Sequence, residues 1–274
     1  MLRAVVLTFA VVVTAFPLYW ILITSFKSQL AIGVSPTYVP WVDFEPTLDA
    51  WRWMFTEARS DVVRAFTNSF VVSAGSALLA TAVGGLAGYG LTRFRLKWGP
   101  WRNDDIAFWF ISQRMLPPVA MVLAFLLMFR TLRLLDTRFG LTMAYTGFAI
   151  PFAVWIMRDS FAQIPVELEE SAAVDGASPL QAFFRIAVPI AIPGFVASFL
   201  FAFIFAWNEY LFALMLTFQK ATTVPLLLSS RITSFGTQWD QLSALTLVNM
   251  IPAAVLGILL ERFLVRSRLE GALK

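Results

Sequence analysis

Six stretches of this chain alternate with charged segments and run long enough without charge to cross a bilayer. A hydrocarbon core about 30 Å thick needs about 20 apolar helical residues. The sequence offers residues 4–26, 65–91, 106–129, 139–157, 190–216 and 242–260. The first is uncharged up to Lys27 and has no convincing small-residue cleavage site, so it reads as a span and not as a removable leader. The second lies between Arg64 and Arg93. The third holds one charge, Arg114, the fifth holds Glu209, and the sixth has Asn249 and Pro252 near its middle. The connections are unequal: a long first loop over 27–64, rich in Trp and Pro, a short basic turn over 92–105 (TRFRLKWGPWRNDD), a short 130–138, an acidic 158–185, a long 217–241 and a basic tail over 261–274. The pattern predicts an all-α integral membrane protein with six transmembrane helices, one domain over 1–274.

Composition strengthens that reading. Hydrophobic residues make up 59% and charged residues 14%, against about 45–50% and about 25% in soluble domains. The net charge of +4 is small and dispersed, which argues against nucleic acid as a partner. The chain has no Cys and no His, so thiol chemistry, disulfides, zinc clusters and histidine acid–base catalysis are excluded. No catalytic residue, metal ligand or cofactor site is expected. An even number of spans puts both termini on one side. With that side cytoplasmic, eleven basic residues lie inside and nine outside, a slight lean toward termini-in, while the three arginines of 130–138 point the other way.

The segment EESAAVDGAS (169–178) departs from this apolar pattern. Pro165 suits a first helical position. Glu167, Glu169 and Glu170 follow where carboxylates favour a helix N-terminus. Ser171, Ala172 and Ala173 are small enough for close packing, Gly176 is a helix stop, and Ser178-Pro179 reads as the cap and first turn of a new helix. Helix, glycine turn, helix is predicted. Four carboxylates within 167–175 keep it out of lipid.

The spacing carries a resemblance. Glu170-Ser171-Ala172, three residues, Gly176, nine residues, Ile186, one residue and Val188-Pro189 is similar to the E-A-A-x3-G-x9-I-x-L-P signature of binding-protein-dependent ABC importer permeases. Ser replaces the first Ala, and Val replaces Leu before Pro. GLAGYGLTRFR (85–95), AFIFAWNEYLFALMLT (202–217) and RFLVRSRLEGALK (262–274) resemble the carbohydrate branch of the family, the maltose-type inner permeases. The resemblance covers roughly residues 65–274, and the first span more loosely.

It implies that 158–185 is a cytoplasmic coupling loop between spans four and five, its 165–177 helix docking in a cleft of a separate ATPase. Glu169, Glu170, Ser171, Ala172, Asp175 and Gly176 would form the coupling set. Glu170 would orient the helix and contact the ATPase, Ser171 and Ala172 would allow close seating, and Gly176 would make the turn. The implied partners are a second permease subunit, two copies of an ATP-binding subunit that hold ATP and Mg, an extracytoplasmic solute-binding protein and membrane lipid. The implied location is a bacterial or archaeal inner (cytoplasmic) membrane, crossed several times, with both termini cytoplasmic. The chain itself has no G-x4-G-K-[ST] loop.

Polar residues inside spans are candidates for a substrate pathway. Arg114 lies nine residues past Asp105, about 13 Å along a helix and near mid-bilayer, so it should face protein or water. It either lines the pathway or pairs structurally with an acid such as Glu209. SQRMLPP (112–118) breaks regular helix around it. Asn208, Glu209 and Tyr210 form a second polar cluster, with Tyr145 and Asn249 as further candidates. Thr223, Pro225 and Ser229 lie in the 217–241 loop, which would contact the binding protein or pack on the membrane surface. Three function classes remain open at this point: a subunit of an ABC importer for a sugar, or for an amino acid, peptide or phosphate; a secondary transporter, which would need paired intramembrane acids or an internal repeat; and a membrane enzyme.

Overall fold

The computed structural model describes the backbone of residues 2–34, 36–97, 99–234 and 236–272, without the side chains of Leu2, Leu260 and 262–272. Arg262, Arg266, Arg268 and Lys274 of the basic tail therefore lie outside the described side chains. The helices, in chain order, are α1 Leu2–Thr24, α2 Gln29–Val34, α3 Asp49–Phe55, α4 Arg59–Arg93, α5 Asn103–Ser112, α6 Pro118–Thr131, α7 Arg138–Ala162, α8 Glu167–Val174, α9 Pro179–Ala182, α10 Val188–Ile190, α11 Ile192–Trp207, α12 Leu211–Leu216, α13 Val224–Ser229 and α14 Trp239–Ala272. A two-stranded antiparallel ribbon pairs β1, Ile232–Thr233, with β2, Gly236–Thr237. Among the described residues, four helices are long and apolar enough to cross a membrane, or up to six if each of two bent pairs forms one span.

The bends are where the apolar runs mislead. The stretch 106–129 reads as one helix by hydropathy, yet α5 and α6 meet at 90°. Pro117 and Pro118 are the cause: neither has an N–H to donate backward, and the Pro ring clashes with the preceding turn. Pro118 instead starts α6, with Pro117 as its extended cap. The stretch 190–216 is broken twice, by a 74° bend before α11 and by non-helical residues between α11 and α12. The loop expected over 217–241 holds α13 and the β1–β2 ribbon, and the loop over 27–64 holds α2 and α3.

Contacts gather into two compact units, Met1–Phe66 with Thr223–Ala254, and Thr67–Thr222 with Val255–Lys274. In the first unit, Met54, Ala65, Val224, Leu227 and Leu245 form a core joined by Trp51 and Trp53. Lys27 is 2% exposed, donates to the Thr37 carbonyl at 2.5 Å and lies over the Trp20 and Phe44 rings. Its burial pushes the ammonium below its ordinary value, against the opposing pull of Asp43. Along α1, Val5, Leu7, Phe9, Val11 and Val12 are exposed, an apolar surface suited to lipid and not to water.

In the second unit, α4 and α7 approach at backbone distance. A Cβ on Gly84 would lie 2.5 Å from the Ala153 Cβ, and one on Gly88 would lie 2.7 Å from the Arg158 nitrogen. Small residues four apart let two apolar helices touch where hydrophobic burial supplies little drive. Gly85 receives the Phe195 ring in the same way. Beyond the contact, Thr92 Oγ1 donates to the Gly88 carbonyl at 2.7 Å and lies 3.4 Å from the Arg158 carbonyl.

Gly88→Val should therefore force α4 and α7 apart, lowering stability by about 1–3 kcal/mol as overpacking does. Gly90→Ala, where nothing lies within 4 Å, should be neutral or stabilising, because Ala is the better helix former. Thermal unfolding in detergent checks the pair. Equal effects would remove the claim of close helix contact.

Candidate functional site

The acidic segment is built locally. α8 carries Glu167, Glu169 and Glu170 in its first turn, with Val166 as cap. The helix thus starts two residues after Pro165, which stands outside it and not at the expected first helical position. At the other end Gly176 takes φ +89°, a left-handed conformation that only glycine enters freely. Its N–H donates to the Ala173 carbonyl at 3.0 Å, and the Ala177 N–H donates to the Ala172 carbonyl at 2.9 Å. These two bonds are the Schellman arrangement, which satisfies carbonyls a helix end leaves open. Ser178 then caps α9 by accepting from the Gln181 N–H, while the Gln181 side chain accepts from the Ser178 N–H at 2.8 Å. Pro179 is in the first turn, as the sequence predicts.

The six residues expected to couple to an ATPase split into two groups. Glu170, Ser171, Asp175 and Gly176 are exposed, and Ala172 is half-buried. Exposed apolar side chains accompany them: Leu168, Val174 (88% exposed), Leu180 and Phe184. Apolar side chains in water beside acids form a surface of the kind that partners cover. Glu169 points the other way and is 8% exposed. Its carboxylate accepts from the Arg93 Nε at 2.7 Å and from the Tyr89 hydroxyl at 2.6 Å. The Arg93 Nη2 donates in addition to the Ile164 carbonyl at 2.9 Å. Both charged side chains are buried, so removing either would leave the other unpaired in a low-dielectric site, at about 3–5 kcal/mol. Below this pair Tyr89 packs against Phe183 and Phe161, with ring centroids 4.6 and 5.3 Å apart, inside a cluster with Met157, Ile164 and Ala187.

Three of the six polar residues expected along a pathway, Arg114, Asn208 and Glu209, stand at helix breaks. Arg114 sits in a 3-10 turn, Gln113–Met115, at the α5–α6 bend. Its guanidinium lies 4.7 Å from the centroids of Phe152 and Phe205 and donates to the Phe148 carbonyl at 3.3 Å. Among the described residues it forms no ion pair with Glu209. The Glu209 carboxylate accepts from the Phe212 N–H at 3.1 Å and the Ala213 N–H at 3.3 Å, capping α12. Asn208 donates back to the Ile204 carbonyl at 2.8 Å, and Tyr210 is exposed. Tyr145 is 1% exposed in the core with Phe212 and Leu216, its hydroxyl 3.4 Å from the Glu209 carbonyl. Asn249 belongs to the other compact unit.

Of the loop candidates, Thr223 is buried as the cap of α13, and Pro225 and Ser229 are half-buried. In the same unit, a cavity of about 630 Å³ is lined by Trp20, Lys27, Thr37, Trp239 and Ser243. None of the expected pathway residues lines it.

Sequence reasoning missed two anchors. The Asp136 carboxylate collects the N–H groups of Phe218, Gln219, Lys220 and Ala221 at 3.0–3.3 Å. Asn68, fully buried, accepts from the Arg138 Nε at 2.6 Å and donates to the Lys220 and Thr222 carbonyls. Together they hold the turn after α12 against the start of α7. The one available signal was a lone Asn inside the apolar run 65–91.

These features define a multi-pass helical membrane protein with a capped acidic helix–turn–helix between its apolar stretches. Residues 80–268 match the family described as the binding-protein-dependent transport system inner membrane component, and the chain belongs to that family. The family is one of transport permeases and not of enzymes. The chain is 32% identical over 267 residues to the inner membrane ABC transporter permease protein YcjP of Escherichia coli (strain K12), covering 96% of this chain and 92% of that one. It is 33% identical over 261 residues to the diacetylchitobiose uptake system permease protein DasC of Streptomyces coelicolor, covering 94% and 91%. Among solved structures it is similar to a chain of a bacterial ABC transporter involved in the import of the acidic polysaccharide alginate. The TM-score is 0.75 at 21% identity, over 95% of this chain and 94% of that one.

Asp136 yields a pH prediction. Burial pushes its carboxyl up, but the four backbone N–H donors outweigh this and hold it below the usual 3.8. A carboxyl with a lower value folded than unfolded stabilises fully above the unfolded value, and that contribution is lost as pH falls through the folded one. The thermal midpoint of Asp136→Asn should lie below that of the unsubstituted chain at pH 6. The gap should close as pH drops under about 4, where the unfolded carboxyl takes up its proton. A gap that stays constant down to pH 3 would contradict the assignment.

Proposed function

We propose that this chain is one of two transmembrane subunits of an ABC importer for a sugar or sugar-like solute, forming half of the translocation pathway. The observation that carries the reading is α8 with its exposed rim. A short helix fixed at one end by the Schellman turn and followed at once by a capped α9 presents Glu170, Ser171, Leu168 and Val174 outward. A separate ATPase subunit, present twice and holding ATP and Mg, would seat on that surface. Force on α8 would pass into α7 through residues 163–166 and into α11 through α9 and α10. In this reading six spans cross the inner membrane with both termini cytoplasmic, each bent pair counting as one. A second permease subunit completes the pathway and an extracytoplasmic solute-binding protein delivers the solute.

The sugar assignment draws on relatives. DasC is named for diacetylchitobiose uptake. Other relatives are a sulfoquinovosyl glycerol transport permease of Agrobacterium fabrum and a trehalose/maltose transport permease of Thermococcus litoralis. Amino acids, peptides and phosphate are the competing solutes.

Purification from the native membrane should bring down an ATP-binding subunit and a second permease, and a chain recovered alone would defeat the proposal. Glu170→Lys and Gly176→Val should insert and assemble, yet lower solute uptake by at least about tenfold. Each disturbs the seat: the first reverses a charge and the second strains a left-handed position. Uptake at the unsubstituted level in both would remove the coupling role of α8. Which sugars compete for uptake in the intact importer then distinguishes a saccharide from the other solutes.

A further inference from the structure

We infer that Arg93 and Glu169 form a latch that ties α8 to the end of α4, so that motion at the acidic helix reaches α4 directly. The inference rests on the proposed coupling role of α8 and adds a third route to the two that chain connectivity provides. Connectivity joins α8 to α7 and, through α9 and α10, to α11. Nothing in the covalent chain joins it to α4, since Arg93 and Glu169 stand 76 residues apart.

Three observations support the latch. First, Glu169 is the acid of α8 that is buried, and it is held by two partners, both from the last turns of α4. A carboxylate meant for an ATPase surface would be exposed, as Glu170 is. Second, Arg93 grips two points, the Glu169 carboxylate and the Ile164 carbonyl that precedes the helix. A planar guanidinium with fixed donors resists rotation of the groups it joins, where a single ammonium would not. Third, the latch lies on a helix that has little freedom to slip. Gly84 and Gly88 bring α4 against α7 at backbone contact, and Tyr89, whose hydroxyl reaches Glu169, is wedged between Phe161 of α7 and Phe183. Pulling α8 therefore pulls a helix already engaged with α7, and the three should move together. Arg93 and Glu169 are positioning residues in this scheme and contact neither solute nor nucleotide.

The test uses the full importer, with its ATP-binding and binding-protein subunits, reconstituted in lipid vesicles. Solute uptake and ATP hydrolysis are measured together for Glu169→Gln, Arg93→Lys, Glu170→Lys and the exchanged pair Arg93→Glu with Glu169→Arg. The latch predicts that Glu169→Gln and Arg93→Lys keep the ATP-binding subunit bound and keep basal hydrolysis. The number of solutes moved per ATP should fall at least about fivefold. The exchanged pair should recover a substantial part of the loss, because it restores the charge contact in reverse. A merely structural role would lower the amount of assembled complex and leave the uptake-to-hydrolysis ratio of the surviving complexes unchanged, which would overturn the inference. An unchanged ratio in Glu169→Gln alongside a lowered one in Glu170→Lys would also overturn it while leaving the coupling role of α8 intact. Failure of the unsubstituted chain to bind any ATP-binding subunit would instead refute the reading on which the latch rests.

Discussion

Peptide groups freed inside an apolar chain must find partners, because lipid offers none. That requirement organises this protein more than any apolar contact does. A break in a long apolar run exposes backbone N–H or C=O groups, and at the α11–α12 break polar side chains meet them. Glu209 receives the N–H groups that open α12. Asp136 collects those of the turn after it. Arg114 stands at the α5–α6 bend and donates to a carbonyl of α7. Glu209 and Arg114 are also pathway candidates by hydropathy, and both bond backbone groups.

The close helix contacts depend on glycine. α4 meets α7 through Gly84 and Gly88, where any side chain would collide with backbone. It meets Phe195 of α11 through Gly85. Thr92 satisfies its hydroxyl on its own helix, so the polar atoms near this contact are not left bare. α8 is fastened onto this closely packed group by a buried charge pair, an arrangement whose geometry matters more than its net energy.

How much of this was legible depended on range along the chain. The acidic helix, the Gly176 stop and the Ser178 cap were readable because each rests on residues within five positions of one another. The existence of apolar spans was readable from composition. The angle of a bend was not: Pro117-Pro118 announces a break, but whether the two halves meet at 20° or 90° is decided by what packs against them. The burial of Glu169 was hidden for a related reason. Three glutamates in a first turn look alike in sequence, and only the arrival of Arg93 and Tyr89 from far along the chain singles one out. Asn68 and Asp136 were hidden in the same way, their partners lying 70 or more residues distant.

One feature beyond α9 bears on how stiffly the chain can carry a push. Residues 183–187 form a π-helical turn, with the Val188 N–H reaching back to the Phe183 carbonyl. Pro189 has no N–H to offer the Arg185 carbonyl, and Pro193 none for the carbonyl of Pro189. The two prolines thus thin the hydrogen-bond ladder over one stretch, between the doubly capped α8–α9 corner and the long α11. Backbone hydrogen bonding is fuller at the corner than in the segment after it. In the proposed coupling, a push entering at α8 would meet this thinned ladder before it reached α11, whereas α7 would receive it through residues 163–166.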